Sequence, residues 1–548
     1  MRFFSTATAL AATAATLFYA SGSAAINAIE IDGRYFVDSV TGEPFWIKGV
    51  DYQPGGSSQF ASGFDPLSDA NTCARDIYLF QKLGVNSGYF WGDARHGIGL
   101  LLPGSPQSPT RSAASIPREL ANGDNHRVSN LFANSIKTVR IYSIDPTLNH
   151  DECMTLLASA GIYLFLDVNT PIYGQNLNRW EPWTTYTEAY LDHVFQVIEA
   201  FAGYNNTLAF FAGNEVVNDN TSAEASPNYV KAVVRDMKTY ITNNIKRQVP
   251  VGYSAADVLE YRVPLAGYLE CGPADEAVDF YGVNSYQWCG DQTFESSLYN
   301  VLVDDYTNYT IPVFLSEFGC NQVLPRTFQE VGTIFSDQFS VVFSGGLVYE
   351  YTQESTSNYG LVNLSSSDGS VQERHDYVAL SSAYASVTTS GLSTVSATAR
   401  PTTCATSYPY INGNTTLPDS PAATLIAEGL NSTYNRGKYI DITVRSTNYT
   451  IYAYNGDEVT DKSVSENYTI QISDASAIDQ TDKSNSSATT GGSPSDSSGS
   501  PSASDGATST GSTSSATSSS AAIANLVRSS EKMGATAVFA VILGLVFA

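Results

Sequence analysis

Positive charge is scarce in this chain. Lysine and arginine number 28 against 54 aspartates and glutamates among 548 residues, which leaves a net charge of −26. A surface of that sign repels nucleic-acid phosphates and anionic lipid headgroups, so neither is an expected partner and a neutral ligand is. Histidine is scarcer still, at five residues, and neither a His-x-x-x-His nor a Cys-x-x-Cys spacing occurs. Metal chemistry is therefore not expected, and no cofactor is implied. Nor is there an apolar run of the about 20 residues that a membrane span needs. Met533 to Ala548 comes nearest, with 16 uncharged residues. The 43% of apolar residues leaves ample material for a core.

The two ends read as processing signals. Residues 1–25 have the layout of a secretory signal peptide, with Arg2, an apolar stretch and the small residues Ala20 to Ala25. Residues 473–522 are almost all Ser, Thr, Gly, Ala, Pro and Asp, a composition that cannot bury enough surface to fold, and they read as an O-glycosylated stalk. Small residues Ser518 to Ala522, with Ser520 as the attachment residue, precede the spacer Ile523 to Lys532 and the apolar tail. Residues 523–548 are thus expected to be a GPI-attachment signal, so the only membrane contact expected is the lipid anchor. The oxidising route fits nine Asn-x-Ser/Thr sequons, at Asn205, Asn220, Asn308, Asn363, Asn414, Asn431, Asn448, Asn467 and Asn485. It also fits an even cysteine count of six, read as three disulfides.

Between these ends, short apolar runs alternate with amphipathic helical patterns. Strand candidates begin at Phe45, Thr138, Ile162, Leu208, Val249, Val278, Ile311 and Gly346, after a hairpin from Ile29 to Phe36. The helical patterns include Glu188 to Phe201 and Tyr229 to Tyr240. Eight buried strands alternating with helices predict a (β/α)8 barrel over residues 26–404. The stretch Phe210-Phe-Ala-Gly-Asn-Glu-Val then puts Glu215 just past the fourth strand, and Phe314-Leu-Ser-Glu-Phe-Gly puts Glu317 at the end of the seventh. Both belong on the C-terminal face, where barrel active sites are built. Two converging acids are what glycosidic bond cleavage requires, one to protonate the leaving oxygen and one to attack the anomeric carbon. Asp51, Asp145 and Asp167 lie on the same rim, so position alone does not single out two.

Ile47-Lys-Gly-Val-Asp-Tyr-Gln53, Cys73-Ala-Arg-Asp, Arg140-Ile-Tyr-Ser-Ile-Asp145, Gly213-Asn-Glu-Val216, Val283-Asn-Ser-Tyr286 and Ser316-Glu-Phe-Gly-Cys320 occur in this order. In them the chain resembles glycoside hydrolase family 72, the fungal GPI-anchored β-1,3-glucanosyltransferases, from about Ile29 to Cys404. The resemblance implies a retaining transglycosylase with β-1,3-glucan as donor and acceptor, elongating cell-wall glucan at the outer face of the plasma membrane. It implies Glu215 as acid/base, Glu317 as nucleophile, Asn214 binding the sugar 2-hydroxyl and Tyr286 orienting the nucleophile. Tyr142, Tyr349 and Tyr359 match aromatic positions of the family, and Gln53, Asp145 and Asp167 match polar ones. The implied disulfides are Cys73 with Cys153, Cys271 with Cys404, and Cys289 with Cys320.

Two departures stand out. No cysteine follows Cys404, so the chain is similar to members lacking the cysteine-rich carbohydrate-binding module. Residues 405–472 are expected instead to form a small β-rich extension, with strands at Tyr439 to Val444 and Tyr449 to Tyr454. Residues 87–135 interrupt the family pattern with an Arg-, Pro-, Ser- and Gly-rich insert, read as a translated intron or, alternatively, a surface loop. An endo-β-1,3-glucanase would use the same two acids, and a non-catalytic wall-binding barrel would not need them. Two acids placed for a retaining mechanism repel, so Glu317 is expected to ionise first and Glu215 to keep its proton to higher pH.

Overall fold

A computed structural model describes residues 25–56, 64–84, 135–355, 357–396, 398–414, 416–430, 436–470 and 472. The signal peptide up to residue 24, the insert up to residue 134, the stalk with Ser520 and the attachment signal lie outside the described residues. A hairpin of β1 (Ile29–Asp32) and β2 (Tyr35–Asp38) comes first. The strands that follow are β3 (Ile47–Asp51), β4 (Thr138–Ile141), β5 (Tyr163–Asp167) and β6 (Thr207–Asn214). Then come β7 (Val251–Ala256), β8 (Phe280–Asn284), β9 (Val313–Phe318) and β10 (Phe343–Val348). All eight pair in parallel, and β10 returns to β3 to close the barrel.

These strands are continuous apolar runs because helices cover their outer face while side chains fill the inside. Phe165, Phe211, Phe280 and Phe314 meet inside the barrel with ring centroids 4.9 to 6.2 Å apart. Phe36 of β2 joins them at 5.7 to 5.9 Å, so the hairpin plugs the N-terminal end. With that end shut and packed, the C-terminal end is left for chemistry. The helix Glu188–Phe201 shows the outer layer's logic: Thr187 caps its start by accepting from the Tyr190 N–H, and Leu191, Val194, Phe195 and Ile198 are fully buried. Among the described residues no helix is long and apolar enough to cross a membrane.

Disulfides join Cys73 to Cys153, Cys271 to Cys404 and Cys289 to Cys320, the pairs that the resemblance implies. The second ties the segment after the barrel back to the helix Arg262–Glu270, which ends just before Cys271.

The segment after Cys404 matches the β-rich reading at its second expected strand, where Tyr452 bridges Glu458 across the Asn455-Gly456 turn, and differs from it at the first. Its described part contains a single strand, β13 (Ile451–Tyr452), which adds in parallel to β12 (Val371–Glu373), itself antiparallel to β11 (Val362–Leu364). Tyr439 to Val444 makes no strand, because barrel side chains satisfy its backbone. The N–H groups of Lys438, Ile440 and Thr443 donate to Asp151, Thr155 and Glu152 of the helix Asp151–Ala160. The alternating β-branched residues thus belong to an extended strap on the barrel, not to a sheet of its own.

Candidate active site

Arg140 organises the C-terminal end of the barrel. It lies on β4, is fully buried, and a buried guanidinium needs every donor paired. Asp167, at the end of β5, takes its Nε at 3.1 Å and Nη2 at 2.9 Å in a two-point fork. Nη2 also donates to Asn214 Oδ1 at 3.0 Å, and Nη1 to Glu317 Oε1 at 3.3 Å. One cation therefore fixes three residues from three strands.

Glu317, on β9 and 2% exposed, receives two phenol hydroxyls besides: Tyr142 donates to Oε1 at 2.8 Å and Tyr286 to Oε2 at 2.6 Å. Burial pushes both phenols well above their ordinary range, so they remain protonated donors. Burial also pushes Glu317 up to about 7, resisted by Arg140, reinforced by Glu215 and resisted again by the two hydroxyls. Desolvation, which an argument from repulsion between the two acids leaves out, thus outweighs the three donors at Glu317.

Glu215 follows β6 directly, with φ of 49°, a left-handed conformation uncommon outside glycine. Its N–H donates to the Ser254 carbonyl at 2.8 Å, and its Oε1 accepts from Asn284 Nδ2 at 2.9 Å. Such strain clusters at functional sites. Here it turns the chain out of the strand so that Asn214 and Glu215 both reach the amide of Asn284, which also donates to Asn214 Oδ1 at 3.1 Å. Asn284 Oδ1 is held in turn by the hydroxyls of Ser254 at 3.1 Å and Ser316 at 2.8 Å. β8 comes close enough for this because residue 282 is glycine; a Cβ there would stand 2.4 Å from Ser316 Oγ. With Oδ1 of Asn214 accepting twice, its Nδ2 is the group left to donate to a sugar hydroxyl.

The remaining candidates divide. Tyr142, Tyr349 and Tyr359 pack together with Tyr286 edge to face, at centroid distances of 5.3 to 6.4 Å, and form one aromatic wall beside Glu317. Gln53 Oε1 accepts from the N–H groups of Tyr142 and Ser143, while its buried Nε2 faces no protein acceptor. It lines a small pocket with Asp51, Tyr349, Glu350 and Glu354. Asp145 stands apart. Its Oδ1 closes a local turn by accepting from the N–H and hydroxyl of Thr147.

Four residues gained a role only here: Arg140, Asn284, Ser254 and Ser316. A lone arginine inside the apolar strand Thr138-Val-Arg-Ile was the available signal for the first. Asp51 is fully enclosed, and burial, resisted by Arg140 and reinforced by Glu317 and Asp167, keeps its carboxyl well above the usual range.

A closed parallel barrel with two interacting carboxylates at the ends of its fourth and seventh strands is the arrangement of a glycosidase-type (β/α)8 enzyme. The chain belongs to glycoside hydrolase family 72, the glucanosyltransferases, whose profile matches residues 19–89 and 108–388. The match leaves 90–107 uncovered, inside the stretch read as an insert. The chain is 48% identical over 442 residues to the Saccharomyces cerevisiae 1,3-beta-glucanosyltransferase GAS4, covering 79% of this chain and 82% of that protein. It is 40% identical over 470 residues to the Aspergillus fumigatus 1,3-beta-glucanosyltransferase gel2, covering 84% and 85%. Among solved structures it resembles Saccharomyces cerevisiae Gas2p in complex with laminaritriose and laminaritetraose, with a TM-score of 0.57 and 34% identity over 73% of this chain and 78% of that one.

Proposed function

We propose that this protein is a retaining β-1,3-glucanosyltransferase that cuts an internal β-1,3 linkage and passes the new end to the non-reducing end of another glucan. The observation that carries the reading is the shared network in which Arg140, Tyr142 and Tyr286 aim Glu317 while Asn284 ties Glu215 to Asn214. In the first step a Glu317 oxygen attacks the anomeric carbon, the C–O bond to the leaving glucan breaks, and Glu215 gives that oxygen its proton. Asn214 Nδ2 donates to the 2-hydroxyl, a bond that strengthens as positive charge develops on the ring. In the second step the acceptor hydroxyl returns a proton to Glu215 as its oxygen displaces Glu317. Gln53, Tyr349 and Tyr359 hold flanking sugars, stacking on their C–H faces or pairing with their hydroxyls.

A reduced laminari-oligosaccharide of defined length tests this against an endo-β-1,3-glucanase. Products longer than the donor are expected, and only shorter ones would show hydrolysis. A GPI anchor at the small residues around Ser520, holding the enzyme at the outer face beneath the wall, completes the proposal. Bulky replacements across Ser518 to Ala522 should abolish release of membrane-bound protein by a phosphatidylinositol-specific phospholipase; unchanged release would reject that site.

A further inference from the structure

The segment from Val168 to Thr187, between β5 and the helix Glu188–Phe201, is longer than barrel connections usually are and is held rigid by its own hydrogen bonds. Asn178 Oδ1 accepts from the Trp180 and Glu181 N–H groups, and the Asn178 N–H donates to Thr185 Oγ1 at 2.8 Å. The Ser226 hydroxyl donates to the Arg179 carbonyl, which anchors the middle of the segment to the next loop. Tyr186 of this segment is buried, yet three more of its aromatics face solvent: Trp180 is 44% exposed, Trp183 57% and Tyr173 93%. Aromatics of that size are ordinarily buried, and several exposed on one rigid loop mark a binding surface.

The loop is continuous with the active site. A cleft runs from Tyr142, Asp167 and Asn214 outward past Asn169, Leu177 and Arg179. Trp180 directly follows Arg179 of this lining, with its only polar side-chain atom committed: Nε1 donates to Asp219 Oδ2 at 2.8 Å. Asp219 lies four residues beyond Glu215 and is itself fixed as the cap of the helix Asn220–Ala225. The indole is thus oriented from the segment that carries the proposed acid/base, while the tyrosine wall belongs to Glu317. In a retaining reaction the nucleophile holds the transferred sugar, and the acid/base faces first the leaving chain and then the incoming one.

We infer that Trp180, positioned by Asp219, is a stacking platform for a glucose unit of the leaving and then of the accepting β-1,3-glucan, one or more units beyond the cleavage point. A pyranose presents a C–H face that matches an indole, and an indole whose N–H is already paired loses little freedom when a sugar stacks on it. The inference rests on the proposed transglycosylase reading.

The test uses the full secreted chain in two measurements. In a Glu317→Gln background, which binds sugar without turnover, a long laminari-oligosaccharide should change tryptophan fluorescence, and adding Trp180→Ala should remove most of that change. In the active enzyme, Trp180→Ala should lower the ratio of transfer to hydrolysis at fixed long acceptor about tenfold, with Trp180→Phe between the two. Asp219→Ala should shift the ratio in the same direction, because the ring loses its pin. A fluorescence response that survives Trp180→Ala overturns the platform, and a lost response with an unchanged transfer ratio overturns its assignment to the acceptor side. Should the unmutated enzyme only hydrolyse, the transglycosylase reading fails separately, and the titration still decides whether Trp180 binds glucan.

Discussion

Replacing Glu317 by glutamine should stabilise the protein at neutral pH and leave it nearly unchanged in acid. The Glu317 carboxyl is raised from 4.5 to about 7, chiefly by burial. Between those values the folded protein holds a proton that the unfolded chain has released, so the folded state loses stability as pH rises through this window. The loss is complete above the folded value and amounts to about 3 kcal/mol, from roughly 1.4 kcal/mol for each pH unit of displacement. Glutamine has the same shape and no charge. It also keeps the local bonds, since its oxygen accepts from one phenol, its NH₂ faces the other, and Arg140 retains its fork to Asp167. Urea unfolding of both proteins with disulfides intact, from about pH 4 to about pH 8, should show curves that coincide in acid and separate by about 3 kcal/mol at the alkaline end, the variant being the more stable. If the wild type instead gained on the variant with rising pH, the three donors would outweigh desolvation and Glu317 would be depressed. A difference independent of pH would remove Glu317 ionisation from the account.

Tyr286→Phe removes the hydroxyl on Glu317 Oε2 and should lower kcat about tenfold to a hundredfold with little change in KM, because the bond aims the nucleophile and does not hold the sugar. Arg140→Lys keeps the charge but not the fork to Asp167, and should cost both activity and about 3 kcal/mol of stability in chemical unfolding. Glu215→Ala should be rescued by donors whose leaving groups need no proton, and its pH profile for glycosyl-enzyme formation should lose the alkaline limb; a limb that persists would move the acid/base role to another residue. Removing the Cys271–Cys404 bridge, which spans 133 residues, should destabilise the fold by about 2 to 5 kcal/mol in reversible unfolding.

What was legible in the sequence followed burial. Strands buried on both faces read as plain apolar runs, so all eight barrel strands were visible, and the helical periodicity of Glu188 to Phe201 marked the helix found there. The ends were less so. The fourth strand was read as Leu208 to Phe211 and runs from Thr207 to Asn214, because its last residues are polar or small in order to serve the site. The same applies to Asn284 at the end of β8. Roles that depend on neighbours from other strands were hidden for a different reason. Nothing local to Arg140 shows that Asp167, Asn214 and Glu317 converge on it, and nothing local to Glu215 shows its left-handed backbone. Tyr439 to Val444 misled because β-branched alternation suits any extended segment, whether its partner is a strand or the side chains of a helix.

The central claim is that Glu317 carries the sugar between donor and acceptor. An activated laminaribiosyl donor with fluorine in place of the 2-hydroxyl slows breakdown of a glycosyl-enzyme more than its formation, so the intermediate can be trapped and digested to peptides. Mass spectrometry should find the fluorinated disaccharide on the peptide containing Glu317, and Glu317→Gln should remain unlabelled. A label on any other carboxylate, or none while the donor is still turned over, would contradict the account.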